Sequence, residues 1–497
     1  MGKGAARKIL QATATAAVCA LAACGGGGGG GGEVSPTPQA CAPTNPFQGD
    51  AVRPTTSGSL DIEKAWVRKM IDDQYLWYDL VPNIDAARAE YSDTQSVYPS
   101  LDNFFVDLTN IVQDRFSFTY PTRLWEEETN AGASGGYGIE WKFSGAGTSR
   151  RIRIAYIEPG SPAAASGLLR GDELVSVDGI AANVASTSAA FDQLLDALFP
   201  NEGGPPHNFA LTRSGASLFL TLVPQRVVRQ PVLMHQSLSV NGRTVGYIVF
   251  NEHSRPAEHQ LANAVAALRT AGVQDLILDL RYNSGGFLYI ASQLAYMIAG
   301  PQRTGTQLFE QLQFNAKRSA ETNSPDSRIG FISQGCLVEN CTTDQPLPTL
   351  DLGRVFVITT ESSCSASESI INGLQGVGVE VVRIGGTTCG KPYGFYGYDN
   401  CGISYFPMEF KGVNAVGFGD YATGFTPTCS ATDDLSRALG QPDEGMLAAA
   451  TYRLANGVCG AGFGAARESA QAPGAAADAG RLMRHPVRQS KFMLPRR

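Results

Sequence analysis

The stretch "VITTESSCSASESIINGLQG", Val357 to Gly376, sets small hydroxyls, a cysteine and glutamates between an apolar run that reads as a strand and a periodic apolar run that reads as a helix. Hydroxyls at such a turn suit two kinds of chemistry. One is capping, because Ser before a helix satisfies its free N–H groups, and Ser365-Ala366-Ser367-Glu368 offers Ser with Glu three residues on. The other is nucleophilic attack, because the same turn presents a hydroxyl beside backbone N–H groups that stabilise an oxyanion. On this stretch alone both roles stay open.

A nucleophilic serine needs a base. The histidines are His207, His235, His253, His259 and His485, and none lies in a polar loop of this kind. His253, soon after the run "VGYIVF", is the one near the end of a strand, and it is expected at the surface. Lysine is the other candidate. Lys391 stands in "GGTTCGKPYGFYGYDNCG" among Gly, Pro, Tyr and Phe, with no carboxylate until Asp399. A free lysine is neutral in roughly one molecule in 2,500 at pH 7. Desolvation by apolar neighbours removes much of that penalty by bringing the pKa to ~7–8.

These residues must be carried by strands and helices that alternate from Gly246 onward. The strands "VGYIVF", "DLILDL", "RVFVIT" and "EVVRIG" are interleaved with the helices "EHQLANAVAALRTAG", "GFLYIASQLAYMIAG" and "ASESIINGLQG". That order predicts an α/β fold with a largely parallel sheet over 240–460, functional loops lying at the C-terminal ends of its strands. "DLILDL" runs at once into "RYNSGG", and "RVFVIT" into the serine stretch. Upstream, "IEKAWVRKMIDDQYLWY" and "LDNFFVDLTNIVQ" have helical spacing and lead to "DRFSFTY", so 61–130 reads as a small helical domain. Short alternating strands, glycine turns and a small-residue helix give 132–230 a β-rich texture.

The chain has 497 residues and a formal net charge of −7, which allows two or three domains and argues against nucleic acid as the main partner. Lys3, Arg7 and Lys8 precede a short apolar run ending in small residues, the pattern of a signal peptide over 1–23. Gly25 to Gly32 and a Pro/Thr-rich stretch make 24–60 a flexible tether. Beyond Cys19 and Cys24, eight cysteines remain, an even number that implies disulfides in an exported chain. None has C-x-x-C spacing, so no metal or cofactor is expected. Economy of loop length pairs Cys336 with Cys341, Cys389 with Cys401 and Cys429 with Cys459; the alternative is that Cys389 and Cys401 are free or paired elsewhere, for instance with Cys364. Residues 461–497, with Arg481, Arg484, Arg488, Lys491, Arg496 and Arg497, read as a flexible, solvated basic tail.

Three resemblances sharpen this reading. "PGSPAAASGL", "GDELVSVDGI", the helix "SAAFDQLLDAL" and the strands "HNFALTR" and "LFLTLVP" resemble a PDZ domain. That likeness implies that Gly135, Gly136, Tyr137, Gly138 and Ile139 hold a peptide's terminal carboxylate and that the peptide adds as a strand. "LAAC" resembles the lipobox of bacterial lipoproteins, which implies lipidation of Cys24 and, with Gly25 next, anchoring at the outer membrane of the cell envelope. The order of PDZ-like region, "DLILDLRYNSGG", "SSCSASESIINGLQG" and "RIGGTTCGKPYG" resembles the carboxy-terminal processing, or tail-specific, serine peptidases over about residues 61–460. Membership implies a ClpP/crotonase-like core, Ser365 as nucleophile, Lys391 as base, and an oxyanion hole from Ala366 with Gly285 or Gly286. It also implies protein or peptide substrates. The Ser–Lys spacing of 26 is one longer than that resemblance leads one to expect. Phe395 stands where many members carry glutamine, and Pro392 directly follows the lysine. A non-catalytic peptide-binding lipoprotein on the same scaffold, or hydrolysis of another acyl substrate such as an ester, are the other readings these residues allow.

Overall fold

A computed structural model describes residues 35–49, 52–145, 147–186, 188–339, 341–463, 481–483 and 492–493. The signal segment, Cys24 and the glycine run lie outside them. At the centre is a six-stranded sheet in the order Val232–Val240, Arg243–Phe250, Asp275–Asp279, Arg354–Thr359, Glu380–Gly385, Cys429–Ser430. Every neighbouring pair is parallel except the first, a hairpin closed at Asn241-Gly242, where both residues have positive φ as a two-residue turn of that kind requires.

Side chains on a strand alternate between faces. Ile248, Leu276, Leu278, Val355 and Val357 enter one core, and Tyr247, Val249, Ile277, Phe356 and Ile358 enter the other. Helices Ala257–Thr270, Leu288–Ala299 and Ala366–Gly376 contribute to the first core, and Gly445–Asn456 to the second. Cover on both faces is why these strands read as nearly unbroken apolar runs.

The β-rich region forms its own sheet, which includes, in order, Ala216–Leu222, His207–Arg213, Glu173–Val177, Arg151–Ile157 and Ile139–Ser144. It packs with helix Ala189–Leu198 around a separate core that includes Trp141, Ile154, Leu174, Leu194 and Phe209. Ser188 caps that helix, its Oγ accepting the Phe191 N–H at 3.2 Å.

Four expectations are corrected. The tether ends sooner than residue 60: Ala40–Cys41 pairs with Thr56–Ser57, and Ala40, Cys41 and Ala42 are buried. The helices Leu60–Gln74 and Val97–Thr109 do not make an independent core; they share the first core of the large sheet, and Phe118–Pro121 pairs with Ile403–Phe406. Cys389 bonds to Cys364, not to Cys401, which reaches back to Cys41; Cys336–Cys341 and Cys429–Cys459 form as expected. Within the basic tail, Arg481–Met483 and Phe492–Met493 are strands, and Leu482 is buried.

Candidate active site

Ser365 follows the strand Arg354–Thr359 and directly precedes the helix Ala366–Gly376, where it has φ +60° and ψ −119°. A non-glycine residue in that region stores about 1–3 kcal/mol of strain, which the surrounding packing must hold. The side chain is fully buried. The Glu368 N–H bonds to the Ser365 carbonyl at 2.7 Å, and Ser365 Oγ has no hydrogen-bond partner among the described residues. Two other hydroxyls of the stretch have separate work. Ser363 Oγ donates to the Leu280 carbonyl at 2.7 Å and Ser367 Oγ to the Asn283 carbonyl at 2.9 Å, so they stitch the serine loop to the "RYNSGG" loop.

Lys391 is fully buried, and burial lowers its ammonium pKa from 10.5 to about 7, against the smaller raising effects of Asp114 and Glu368. Its Nζ lies 5.0 Å from the ring centroid of Phe395 and 5.1 Å from that of Phe116. Phe395 therefore forms part of the apolar wall that makes a neutral lysine attainable. Phe116 comes from the helical region, in "DRFSFTY". Asp114 fixes that loop by accepting the Phe116 N–H at 2.8 Å and the Tyr75 hydroxyl at 2.7 Å. Arg115 donates to the Cys389 carbonyl at 2.5 Å.

Serine and lysine are brought together by one carboxylate. Glu368 Oε2 accepts the Ser365 N–H at 2.9 Å and the Lys391 N–H at 2.8 Å, while Oε1 accepts the Gly390 N–H at 2.9 Å and the Thr388 hydroxyl at 2.5 Å. Burial raises the Glu368 pKa, and its donors Thr388, Lys391, Gly390 and Ser365 oppose the rise. Cys364–Cys389 ties the residue before the serine to the loop of the lysine.

The glycines of "RYNSGG" follow the strand Asp275–Asp279. Gly285 gives its N–H to Asn283 Oδ1 at 2.9 Å, which leaves Gly286 as the glycine whose N–H Asn283 does not take. Asn283 also bonds His253 Nδ1 at 3.0 Å and the Phe250 carbonyl at 3.0 Å. His253 is buried rather than at the surface, and desolvation lowers its pKa to about 4. Its backbone holds the glycines on both sides, His253 N–H to the Gly285 carbonyl at 3.1 Å and Phe287 N–H to the His253 carbonyl at 2.8 Å. Ala366 opens its helix, where the first N–H groups have no intrahelical acceptor. Sequence reasoning passed over Glu368 as a clamp, and over Asp114, Phe116, Asn283 and His253. The position of His253 just after a strand was the available signal.

In the β-rich region, Gly135 and Gly136 are not in a loop but end the strand Ala133–Gly136, paired with Gln225–Val228. Tyr137 is buried and donates to the Ala197 carbonyl at 3.2 Å. Gly138, with φ +76°, makes the turn, and Ile139 starts the next strand. All five residues line a cavity of about 580 Å³ that also includes Arg226, Leu198 and Phe199.

Residues 244–394 match Peptidase family S41 and residues 63–118 match the Peptidase S41 N-terminal domain. The carboxyl-terminal-processing protease of Synechocystis sp. (strain ATCC 27184 / PCC 6803 / Kazusa) is 25% identical over 252 residues, 50% of this chain and 51% of that protein. The chloroplastic C-terminal processing peptidase of Tetradesmus obliquus is 28% identical over 208 residues, 38% of this chain and 43% of that protein. The chain thus spans about half the length, or less, of these relatives. A crystal structure assigned to the S41 proteases, from Bacteroides fragilis NCTC 9343, overlays with a TM-score of 0.58 at 23% identity, covering 79% of this chain and 97% of that one, a likeness of fold.

Proposed function

Because this chain belongs to peptidase family S41, the carboxyl-terminal processing serine peptidases, we propose that it is an endopeptidase that cleaves unfolded or C-terminal segments of proteins with a Ser365–Lys391 dyad. The observation that carries the reading is a pair of fully buried residues whose backbone N–H groups are held by one carboxylate, with a serine hydroxyl that has no hydrogen-bond partner among the described residues and a lysine whose pKa is lowered to about 7. Neutral Lys391 takes the Ser365 proton as Oγ attacks the peptide carbonyl. The Ala366 and Gly286 N–H groups receive the developing oxyanion. Lys391 then protonates the leaving amine, and water, activated by the same lysine, releases the acyl group.

The β-rich region acts as a PDZ domain that captures a substrate's C-terminus, with the Gly138 turn and Arg226 beside the carboxylate. The cavity and the order of strands and helix support this part of the reading. Cleavage of a peptide with a free apolar C-terminus, and of its amide, tests both parts. Ser365→Ala and Lys391→Ala should each lower turnover by at least about a thousandfold with folding intact, and the amide should have the higher KM. Undiminished turnover in either variant removes the dyad, and equal KM values remove C-terminal capture.

The chain is also proposed to be anchored through a lipid on Cys24, on the evidence of "LAAC" and the glycine run, at the outer membrane of the envelope. Cys24→Ala should move the protein from the membrane to the soluble fraction; unchanged partitioning would sink the anchor.

A further inference from the structure

We infer that two short strands of this chain, Arg481–Met483 and Phe492–Met493, occupy its two peptide-binding places, so that the chain competes with substrate from within. The inference rests on the peptidase reading above and concerns how substrate gains access.

The strand Ile139–Ser144 is paired on one side with Arg151–Ile157. Its other side is where a peptide would add, and Arg481–Met483 is already there. The pairing is antiparallel, Arg481 opposite Phe143, Leu482 opposite Lys142 and Met483 opposite Trp141, so the segment runs toward the Gly138 turn as a bound C-terminus would. Backbone pairing of this kind supplies affinity independent of side-chain identity. Leu482 adds a side-chain anchor. It is 7% exposed and packs in a cluster with Ala155 and Tyr156 of the β-rich region and Tyr282 of the "RYNSGG" loop.

The second contact is at the catalytic end. Phe492–Met493 pairs in parallel with Gly286–Phe287, Gly286 opposite Phe492, and lies beside Tyr393–Gly394, which begins two residues after Lys391. Chain therefore fills the space between the oxyanion glycine and the lysine loop, where a substrate strand would lie.

Direction separates a competitor from a substrate. A protein held by its C-terminus in the β-rich region meets Ser365 at a point N-terminal to that anchor. Here the catalytic contact, at 492–493, is C-terminal to the anchor at 481–483, so the segment blocks both places in the reverse order. Electrostatics favour its return after displacement. Arg481, Arg484, Arg488 and Lys491 come with no carboxylate between 481 and 493, in a chain of net charge −7.

The test uses a fluorescent peptide with a free apolar C-terminus and the Ser365→Ala protein, so that binding is read without catalysis. Removing residues 464–497, or introducing Leu482→Asp in the full chain, should tighten binding at least about tenfold. A synthetic peptide of residues 479–495 added to the truncated protein should restore the weaker value competitively. In the Ser365-containing protein the same changes should lower KM and leave kcat as it was. Equal affinities for full-length, truncated and Leu482→Asp proteins would overturn the inference, as would a tail peptide that does not compete. Absence of cleavage with tightened binding would overturn the dyad and leave the competitor standing.

Discussion

Whether Lys391 can serve as a base is decided by a balance at single residues. Burial, the largest effect, lowers its pKa, while Asp114 and Glu368 raise it. The rings of Phe116 and Phe395 act in both senses, because they exclude water and also favour a cation over their faces. Exclusion wins, since the net value is about 7. Peptide cleavage should therefore rise with pH through about 7 and level off above it, the rise belonging to deprotonation of the base. His253 does not account for such a limb, because its own pKa is lowered to about 4. Phe395→Ala admits water to Lys391 and should move the limb to higher pH, which a pH profile of kcat/KM measures; an unmoved limb would show that this ring does not set the base. Ser365 and Lys391 were legible as candidates because serine at a strand–helix turn and lysine among aromatics are local patterns. Phe116 and Asp114 were not, since about 275 residues separate them from Lys391 and only the fold makes them neighbours.

At the scale of elements, the sequence pattern disclosed the four parallel strands of the central sheet between Gly246 and Gly385 and the three helices between them, because both faces of that sheet are covered and hydrophobicity alone marks them; it passed over the strands Leu308–Phe314 and Arg328–Gly330, which belong to a separate sheet. It did not disclose the strand Val232–Val240, where half-buried and exposed residues alternate from Met234 onward, although Asn241-Gly242 was a hairpin signal. It misjudged Cys389 for a related reason. Loop length favours a partner twelve residues away, yet Cys401 is carried to Cys41 by the pairing around Ala40–Cys41 and Gln39, whose N–H bonds Asn400 Oδ1 at 2.7 Å. The bond that does form, Cys364–Cys389, closes a separation of 25 residues, for which the chain-entropy estimate is ~3 kcal/mol. Its position matters more than that stability, because it joins the two loops that present hydroxyl and amine. Replacing both cysteines by serine should lower kcat roughly tenfold to a hundredfold, through small displacements of the reacting groups, with little change in KM. Kinetics of the double variant under the conditions used for the parent protein decide the point; an unchanged kcat would assign the bond to stability alone.

Across the whole molecule, the β-rich region and the peptidase core meet at a buried carboxylate. Asp433 accepts Arg170 at 2.5 Å and Lys142 at 2.9 Å from one side, and Arg281 at 3.0 Å and the Tyr282 hydroxyl at 2.7 Å from the other. Burial alone would raise its pKa, but Arg170, Lys142 and Arg281 together hold it well below the usual carboxylate range. Arg281 is itself fully buried between Asp279 and Glu444. None of this was legible from charge patterning, because the partners lie on segments as distant as Lys142 and Asp433. Arg281 and Tyr282 open the loop that ends in Gly285 and Gly286, so the junction fixes the β-rich region against that loop. On the function proposed above, a peptide long enough to reach both regions should benefit from that fixed geometry, and a short one that reaches only Ser365 should not. Asp433→Asn leaves buried cations without their counter-charge and should cost about 3–5 kcal/mol of stability, read by denaturant unfolding. Lys142→Met removes a single cation from the side of the β-rich region and is the milder variant. In Lys142→Met the ratio of kcat/KM for a long peptide over a short one should fall several-fold, while cleavage of the short peptide stays within twofold of the parent. If both peptides lose equally, the junction serves folding alone; if neither loses, the two regions work independently.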